Sequence, residues 1–184
     1  MIPLQKISGR LGNQMFQLAY LIAQEADRVI PDIYVQDPYY FEEHTHKIKR
    51  LFGTNIPPKL DQVAIHVRRG DYVNNPFYVD LSLTDYYEKA MELFPTSTFL
   101  VFSDDIEWCK DRFQGKQFEF FHSDELTDLN TMAACSGHII ANSSFSWWGA
   151  YLSPNCGKVV APSVDNWYTD GIERTKCPES WIRI

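Results

Sequence analysis

From Val63 onward the chain alternates between short apolar runs and helical stretches, and that alternation limits its architecture more than any other feature. Apolar runs stand at 63–67, 99–102, 118–121, 138–141 and 158–161. Runs of this length, rich in β-branched and aromatic residues and bounded by turn formers, read as buried strands. Between them the apolar spacing changes to three and four, the helical period. Helices are expected over about 85–94, 108–113 and 145–152, with another through Leu126, Leu129, Met132 and Ala133. Thr84 or Asp85 is placed to cap the first, with Glu88 able to return to an Asp85 cap, and Pro95 stops it. Strands joined through helices need right-handed crossovers and pair in parallel. Residues 61–184 are therefore expected to form one Rossmann-like α/β domain around a parallel sheet.

The first third is less regular. Residues 2–7 read as a short strand, followed by the loop Ser8-Gly9-Arg10-Leu11-Gly12-Asn13. Over 14–26 the apolar residues Met15, Phe16, Leu18, Ala19, Ile22, Ala23 and Ala26 predict a helix. Strand, glycine loop and helix in succession can leave backbone N–H groups free to hold an anion. Two glycines also suit a plain tight turn. A strand over 29–35 would be interrupted by Pro31, and Pro57-Pro58 closes a linker. Glu42, Glu43, His44 and His46 lack metal-ligand spacing and read as a solvated face.

At 184 residues the chain is long enough to bury a sizeable core, and its 45% hydrophobic and 15% aromatic content excludes disorder. A net charge of −7 argues against nucleic acid and acidic membranes as partners, so any anion site must be local. Cys109, Cys135, Cys156 and Cys177 form no CxxC pair, which argues against zinc and predicts reduced, partly buried thiols. Without a long apolar span or a signal-like N-terminus, a soluble, cytoplasmic protein is expected. The start at Met1, directly before a strand-like segment, leaves no room for a stem or anchor in this reading.

The strongest candidate site is His66 to Tyr72, HVRRGDY. A buried strand that stops in Arg68-Arg69 puts fixed positive charge at its carboxyl end, where open α/β sheets bind ligands. Guanidinium forks there suit phosphate or carboxylate, and the bland alternative is a surface arginine pair balanced by Asp71. Two further strand ends carry polar residues, Asp104-Asp105 and Ser143-Ser144. The serines open a helix and serve either as phosphate ligands or as simple N-caps. The aspartates point apart on extended backbone, which makes them a poor shared metal site. One of them could instead accept two hydrogen bonds from guanine, or could cap the next helix.

These segments carry a resemblance. GRLGNQMFQ at 9–17, HVRRGDY at 66–72, LTDYYEKA at 83–90, SDD at 103–105 and ANSSFSWWGAYL at 141–152 resemble, in the same order, the alpha-1,2-fucosyltransferases of glycosyltransferase family eleven. The resemblance covers the first helix and nearly all of 61–162. It implies a GT-B-type fold, GDP-fucose as donor, a glycan acceptor, inversion at the anomeric carbon, and no metal or other cofactor. It also implies that Arg68 contacts the diphosphate with Arg69 in support. Asp105 and His66 would hold guanine, and Ser143, Ser144, Phe145 and Ser146 the phosphates. Gly9, Arg10, Gly12, Asn13 and Gln14 would close over the diphosphate and sugar from the other domain. The chain is shorter than such enzymes, chiefly between the first helix and HVRRGDY, so residues 1–60 are expected to be a much reduced N-terminal, acceptor-side domain.

The function expected is an inverting, metal-independent transfer of L-fucose to a galactoside hydroxyl, with an alpha-1,2 linkage. Asp71 is the one base candidate within a motif, and its other role is to lock an arginine by an ion pair. Any membrane association would be peripheral, through a lipid-linked acceptor. The alternatives are a non-catalytic nucleotide-sugar or glycan-binding module, and a transferase using another GDP-sugar.

Overall fold

The structure, a computed structural model, describes residues 7–25, 35–155 and 157–184. The strands expected at 2–7 and 29–35 fall almost wholly outside these residues.

Six strands form one sheet: β1 (Val63–Val67), β2 (Phe99–Ser103), β3 (Phe118–Phe121), β4 (Gly137–Ile139), β5 (Val159–Ala161) and β6 (Ile182–Arg183). Every pairing is parallel, in the order β3-β2-β1-β4-β5-β6. β1 lies between β2 and β4, with Val63 opposite both Phe99 and Gly137. All five residues of β1 and of β2 are buried, because helices cover both faces of the sheet. The expected Rossmann-like sheet is thus present. β6, two residues long, gave no sequence signal of its own.

Side-chain alternation along β1 separates two cores. Val63, Ile65 and Val67 face a cluster with Tyr86, Tyr87 and Ala90 of α3 (Tyr86–Glu92) and Cys109 of α4 (Ile106–Arg112). On the other face Ala64 meets Met132 and Cys135, at the end of α5 (Glu125–Ala134). The same side carries α6 (Ser144–Leu152), whose Trp147 and Trp148 are fully buried. Thr84 rather than Asp85 supplies the side-chain oxygen at the start of α3, accepting from the Tyr86 N–H at 3.2 Å. Asp85 pairs instead with Lys89 at 2.7 Å, and Glu88 with Arg112, so no capping box forms.

Before Leu60 the described residues supply helices only: α1 (Leu11–Ala23), a 3-10 turn over Pro38–His44, and α2 (Thr45–Phe52). α1 begins three residues earlier than its apolar spacing predicts, and α2 was not anticipated. These helices share one apolar cluster with α6. Phe16 of α1 sits 4.5 Å from the Trp147 ring and 5.0 Å from Trp148, centroid to centroid, and Phe41 stacks on Trp148 at 5.7 Å. The indole N–H of Trp148 donates to the Gly12 carbonyl at 3.1 Å.

Among the described residues Cys109, Cys135 and Cys177 are free, and burial pushes their thiols up to about 11, about 12 and about 12. No described helix is long and apolar enough to cross a membrane.

Candidate active site

The sheet order reverses between β1 and β4, and in open α/β sheets the crevice at that point is where ligands bind. A cavity of about 390 Å³ opens there, within the range of small-molecule sites. Its wall takes Arg68 and Asp71 after β1, Ser103 and Asp104 at the end of β2, His122 and Ser123 after β3, and Asn142 to Phe145 after β4. Residues 9–13 of the α1 loop line it as well.

Arg68 is the fixed cation of this cavity. Its guanidinium is held by Asp104 at 2.7 Å and by Asp71, and lies over the Tyr72 ring at 5.3 Å. The side chain is only 11% exposed, so its charge is poorly screened by water. Asp104 also accepts the backbone N–H of Arg69 at 2.9 Å, fixing both the carboxylate and the strand end. Gly70 permits this approach, since a Cβ there would stand 2.3 Å from Asp104 Oδ2. Asp71 is half exposed and lies 3.9 Å from Arg10 as well.

Two helices aim their N-termini at the same place. Gly12, in the first turn of α1, packs on the start of α6 so closely that a Cβ would lie 2.5 Å from the Ser144 carbonyl carbon. The Ser144 hydroxyl donates to Asn13 Oδ1 at 2.7 Å, and the same oxygen accepts from Gln36 Nε2 at 2.7 Å. Neither helix has an acidic residue in its first turn, and Arg10 makes no side-chain capping bond. Two positive dipole ends beside Arg68 suit an anion with several oxygens.

The end of the cavity beyond β3 differs. Asp128 of α5 is 8% exposed, accepts the Ser123 N–H at 2.8 Å, and has its pKa raised by burial. His66 is buried, its ring 5.4 Å from that of Phe145, and its Nδ1 has no hydrogen-bond partner. Burial, helped by the Arg68 charge, lowers its pKa to about 3, so the imidazole is neutral.

Of the residues singled out in the sequence, the cavity brings together Gly9, Arg10, Gly12, Asn13, His66, Arg68, Asp71, Ser143, Ser144 and Phe145. Arg69, Asp105, Gln14 and Ser146 are not among the residues that line it. Adjacent side chains on extended backbone point to opposite sides, so one member of each charged pair faces away. Arg69 stacks on Trp108 at 4.1 Å and binds Asp105 at 3.1 Å and Ser82 at 2.6 Å. Asp105 accepts the Trp108 N–H at 3.3 Å and caps α4. Gln14 closes the α1 loop by donating to the Gly9 carbonyl at 2.7 Å. Ser146 lies buried one turn into α6, bonded to the Ser143 carbonyl at 3.3 Å. Ser143 caps α6 through the Phe145 N–H at 3.3 Å while still lining the cavity.

The sequence reading missed Asp128, Gln36, Tyr78, Trp167 and Tyr168, all on the wall. It weighed the Asp104-Asp105 pair for a metal, for guanine and for a helix cap, and gave the guanine role to Asp105 rather than to Asp104, which is the one on the wall. No group of three or more His, Cys, Asp or Glu side chains stands together for a metal among the described residues.

A doubly wound parallel sheet with an arginine and two helix N-termini at its switch point is an arrangement in which open α/β sheets hold anionic ligands. The sequence narrows the class. Residues 32–184 match the model of Glycosyl transferase family 11, and the chain belongs to that family. It is 37% identical to an alpha-1,2-colitosyltransferase of Escherichia coli, over 81% of this chain and 60% of that protein. It is 31% identical to the O-antigen biosynthesis glycosyltransferase WbnK of Escherichia coli, over 92% of this chain and 59% of that protein. Human galactoside alpha-(1,2)-fucosyltransferase 1 is 31% identical over 56% of this chain and 32% of its own length. The chain thus spans about three fifths of the two bacterial relatives. Among solved structures, the NodZ alpha-1,6-fucosyltransferase soaked with GDP-fucose aligns with a TM-score of 0.41 and 11% identity, over 86% of this chain and 64% of that one.

Proposed function

We propose that this chain transfers L-fucose from GDP-fucose to a galactoside hydroxyl in an alpha-1,2 linkage, with inversion and without a metal. The observation that carries this reading is Arg68, fixed at the end of β1 and facing the starts of α1 and α6, in a chain of family 11. Residues 61–184 are then the GDP-sugar-binding unit, and residues 1–60 a reduced acceptor-side unit.

In this reading the diphosphate lies between Arg68 and the two helix N-termini. Guanine lies toward β3, where Asp128 can accept from its N1–H and amino group and the neutral His66 meets its edge. Asp128 replaces Asp105 in that role, because Asp105 is committed to Trp108 and Arg69. The acceptor oxygen attacks C1 of fucose as the bond from C1 to the β-phosphate oxygen breaks, and the bonding electrons leave with GDP. Arg68 and the helix N–H groups stabilise the charge growing on that oxygen. Asp71 takes the acceptor proton. A diphosphate that engages the Arg68 edge now bonded to Asp71 competes with this carboxylate and frees it as a base.

Metal-free chemistry is favoured by the donor set. The two carboxylates best placed to share a cation, Asp104 and Asp105, point apart and each already binds an arginine. A membrane enters this reading only through a lipid-linked acceptor. The identity to the colitosyltransferase favours a second reading, in which the sugar moved is colitose.

Calorimetric titration with GDP, followed by GDP release from GDP-fucose and methyl β-galactoside with and without EDTA, tests the proposal. Turnover that persists in EDTA supports it. Binding of GDP without turnover of any GDP-sugar makes the chain a binding module. Faster turnover of GDP-colitose than of GDP-fucose selects the second reading.

A further inference from the structure

We infer that Tyr72, Tyr78 and Tyr168 form an aromatic platform for the acceptor pyranose at the β5 end of the cavity. This rests on the transfer reading above and names where its second substrate binds. The rings of Tyr72 and Tyr78 stack at 4.0 Å with an interplanar angle of 9°, and Tyr168 lies 5.5 Å from Tyr78 at 38°. All three line the cavity, with Tyr72 and Tyr78 half-buried and Tyr168 buried.

Position assigns the ligand. Asp128 and Ser123 follow β3, whereas Tyr168 follows β5, and four strand spacings separate those positions in the sheet order. Tyr72 and Tyr78, which follow β1, are tied to Asn142 after β4 and to Tyr168 after β5. At roughly 4.8 Å per spacing the ends of β3 and β5 lie about 19 Å apart. Arg68 and the α6 N-terminus stand between them, so a nucleotide whose base reaches toward β3 presents the far side of its diphosphate to the tyrosines. A second sugar must approach from that side to attack in line. The apolar C–H face of a pyranose suits the electron-rich face of an aromatic ring, while its hydroxyls reach the surrounding polar groups.

The platform is built, not incidental. The Tyr72 hydroxyl donates to the Asn142 carbonyl at 3.1 Å. The Asn142 amide donates to the carbonyls of Val79 at 2.9 Å and Trp167 at 3.0 Å, tying both tyrosine-bearing loops to the residue before Ser143. The Tyr168 hydroxyl meets Thr175 Oγ1 at 3.0 Å, which donates to Gln36 Oε1 at 2.8 Å, and Gln36 binds Asn13. Platform and anion site are thus positioned by the same side chains. Tyr78 and Tyr168 form an antiparallel bridge, and alternation there sends Phe77, 71% exposed, to the opposite face.

The test is titration of the full chain, saturated with GDP, with methyl β-D-galactopyranoside followed by saturation-transfer NMR, alongside GDP calorimetry. Tyr78→Ala and Tyr78→Leu should each weaken galactoside binding at least tenfold and leave the Kd for GDP within twofold. Tyr78→Phe should keep both, and Phe77→Ala should behave as the parent. If Tyr78→Ala lowers the melting temperature, the comparison of Phe with Leu at position 78 decides. Equal galactoside affinity in the Phe and Leu variants overturns the platform, as does a parent chain that binds no galactoside. Weakened GDP-fucose with unchanged galactoside would move the ring to the donor sugar. A parent that binds galactoside but not GDP would leave the platform standing and overturn the transfer reading.

Discussion

Asn13 and Ser144 lie 131 positions apart in the chain and share a hydrogen bond of 2.7 Å, in which the serine hydroxyl donates to the side-chain carbonyl of the asparagine. That single oxygen also accepts from Gln36, so one amide fixes the start of α1, the start of α6 and the segment through Gln36.

Replacing that amide separates structure from anion binding. Asn13→Ala removes two hydrogen bonds, a loss of about 1–3 kcal/mol at 0.5–1.5 kcal/mol each, and should weaken GDP as well. Asn13→Asp keeps both acceptor contacts and adds a negative charge near two helix N-termini, where it stabilises the fold. The same charge repels a diphosphate. Thermal melting should show the Asp variant at or above the parent, while calorimetry shows weaker GDP binding. An Asp variant that binds GDP as well as the parent would remove the anion from this position.

Arg68→Lys keeps a cation but loses the planar fork shared by Asp71 and Asp104. Turnover should fall by about 100- to 1,000-fold, as for loss of one preorganised donor to developing charge. GDP affinity should change modestly. β1 is held by burial of Val63, Ile65 and Val67, so melting should hardly move. Near-parental turnover would relocate the charge-stabilising group.

Asp128 and Asp105 should part company. Asp105→Ala loses the α4 cap and the Arg69 pair, which should destabilise the chain by about 1 kcal/mol and leave the preference among GDP, UDP and ADP unchanged. Asp128→Asn can still accept the Ser123 N–H, so the fold should stand. It should weaken GDP by about 1.5–3 kcal/mol, the value of a hydrogen bond to a charged group, and weaken UDP and ADP less. Equal losses for all three nucleotides at Asp128 would place guanine elsewhere.

Two buried histidines make stability depend on pH. Burial lowers His66 from 6.5 to about 3 and His138 from 6.5 to about 4. Below 6.5 the unfolded chain binds protons that the folded chain refuses, so stability falls as pH drops. Each histidine contributes up to about 1.4 kcal/mol per pH unit between 6.5 and its folded value. Denaturant titrations from pH 6.5 to 4.5 should show that slope reduced by about half in His138→Leu. An unchanged slope would show that His138 is protonated in the folded chain.

Much of the frame was readable because parallel strands covered on both faces are apolar almost throughout, and β1, β2, β4 and β5 announce themselves that way, while the edge strand β3 shows itself by its three phenylalanines. β6 escaped because two residues carry no period, and α2 because Thr45–Phe52 buries only Ile48. Arg68 was legible from its strand end. The choice between neighbours was only half legible: the alternation that argued against a shared metal at Asp104 and Asp105 says that one of each pair turns away from the cavity, but not which one. Asp128, Tyr78 and Tyr168 were not legible, because loop closures that no local pattern encodes bring them to the wall.

Trp148 donating to the Gly12 carbonyl, with Gly12 pressed on Ser144, bolts the glycine loop to the start of α6, which the proposed reading assigns to the phosphates. The resemblance implies a loop carried by a separate domain that closes on its donor. Here the loop and α6 share one interior, so the two sides of the cleft that they form are fixed to each other. If the proposed transfer holds, donor capture needs no hinge between this loop and α6. In that case the pace of release would pass from the scaffold to the grip of Arg68 on the departing nucleotide.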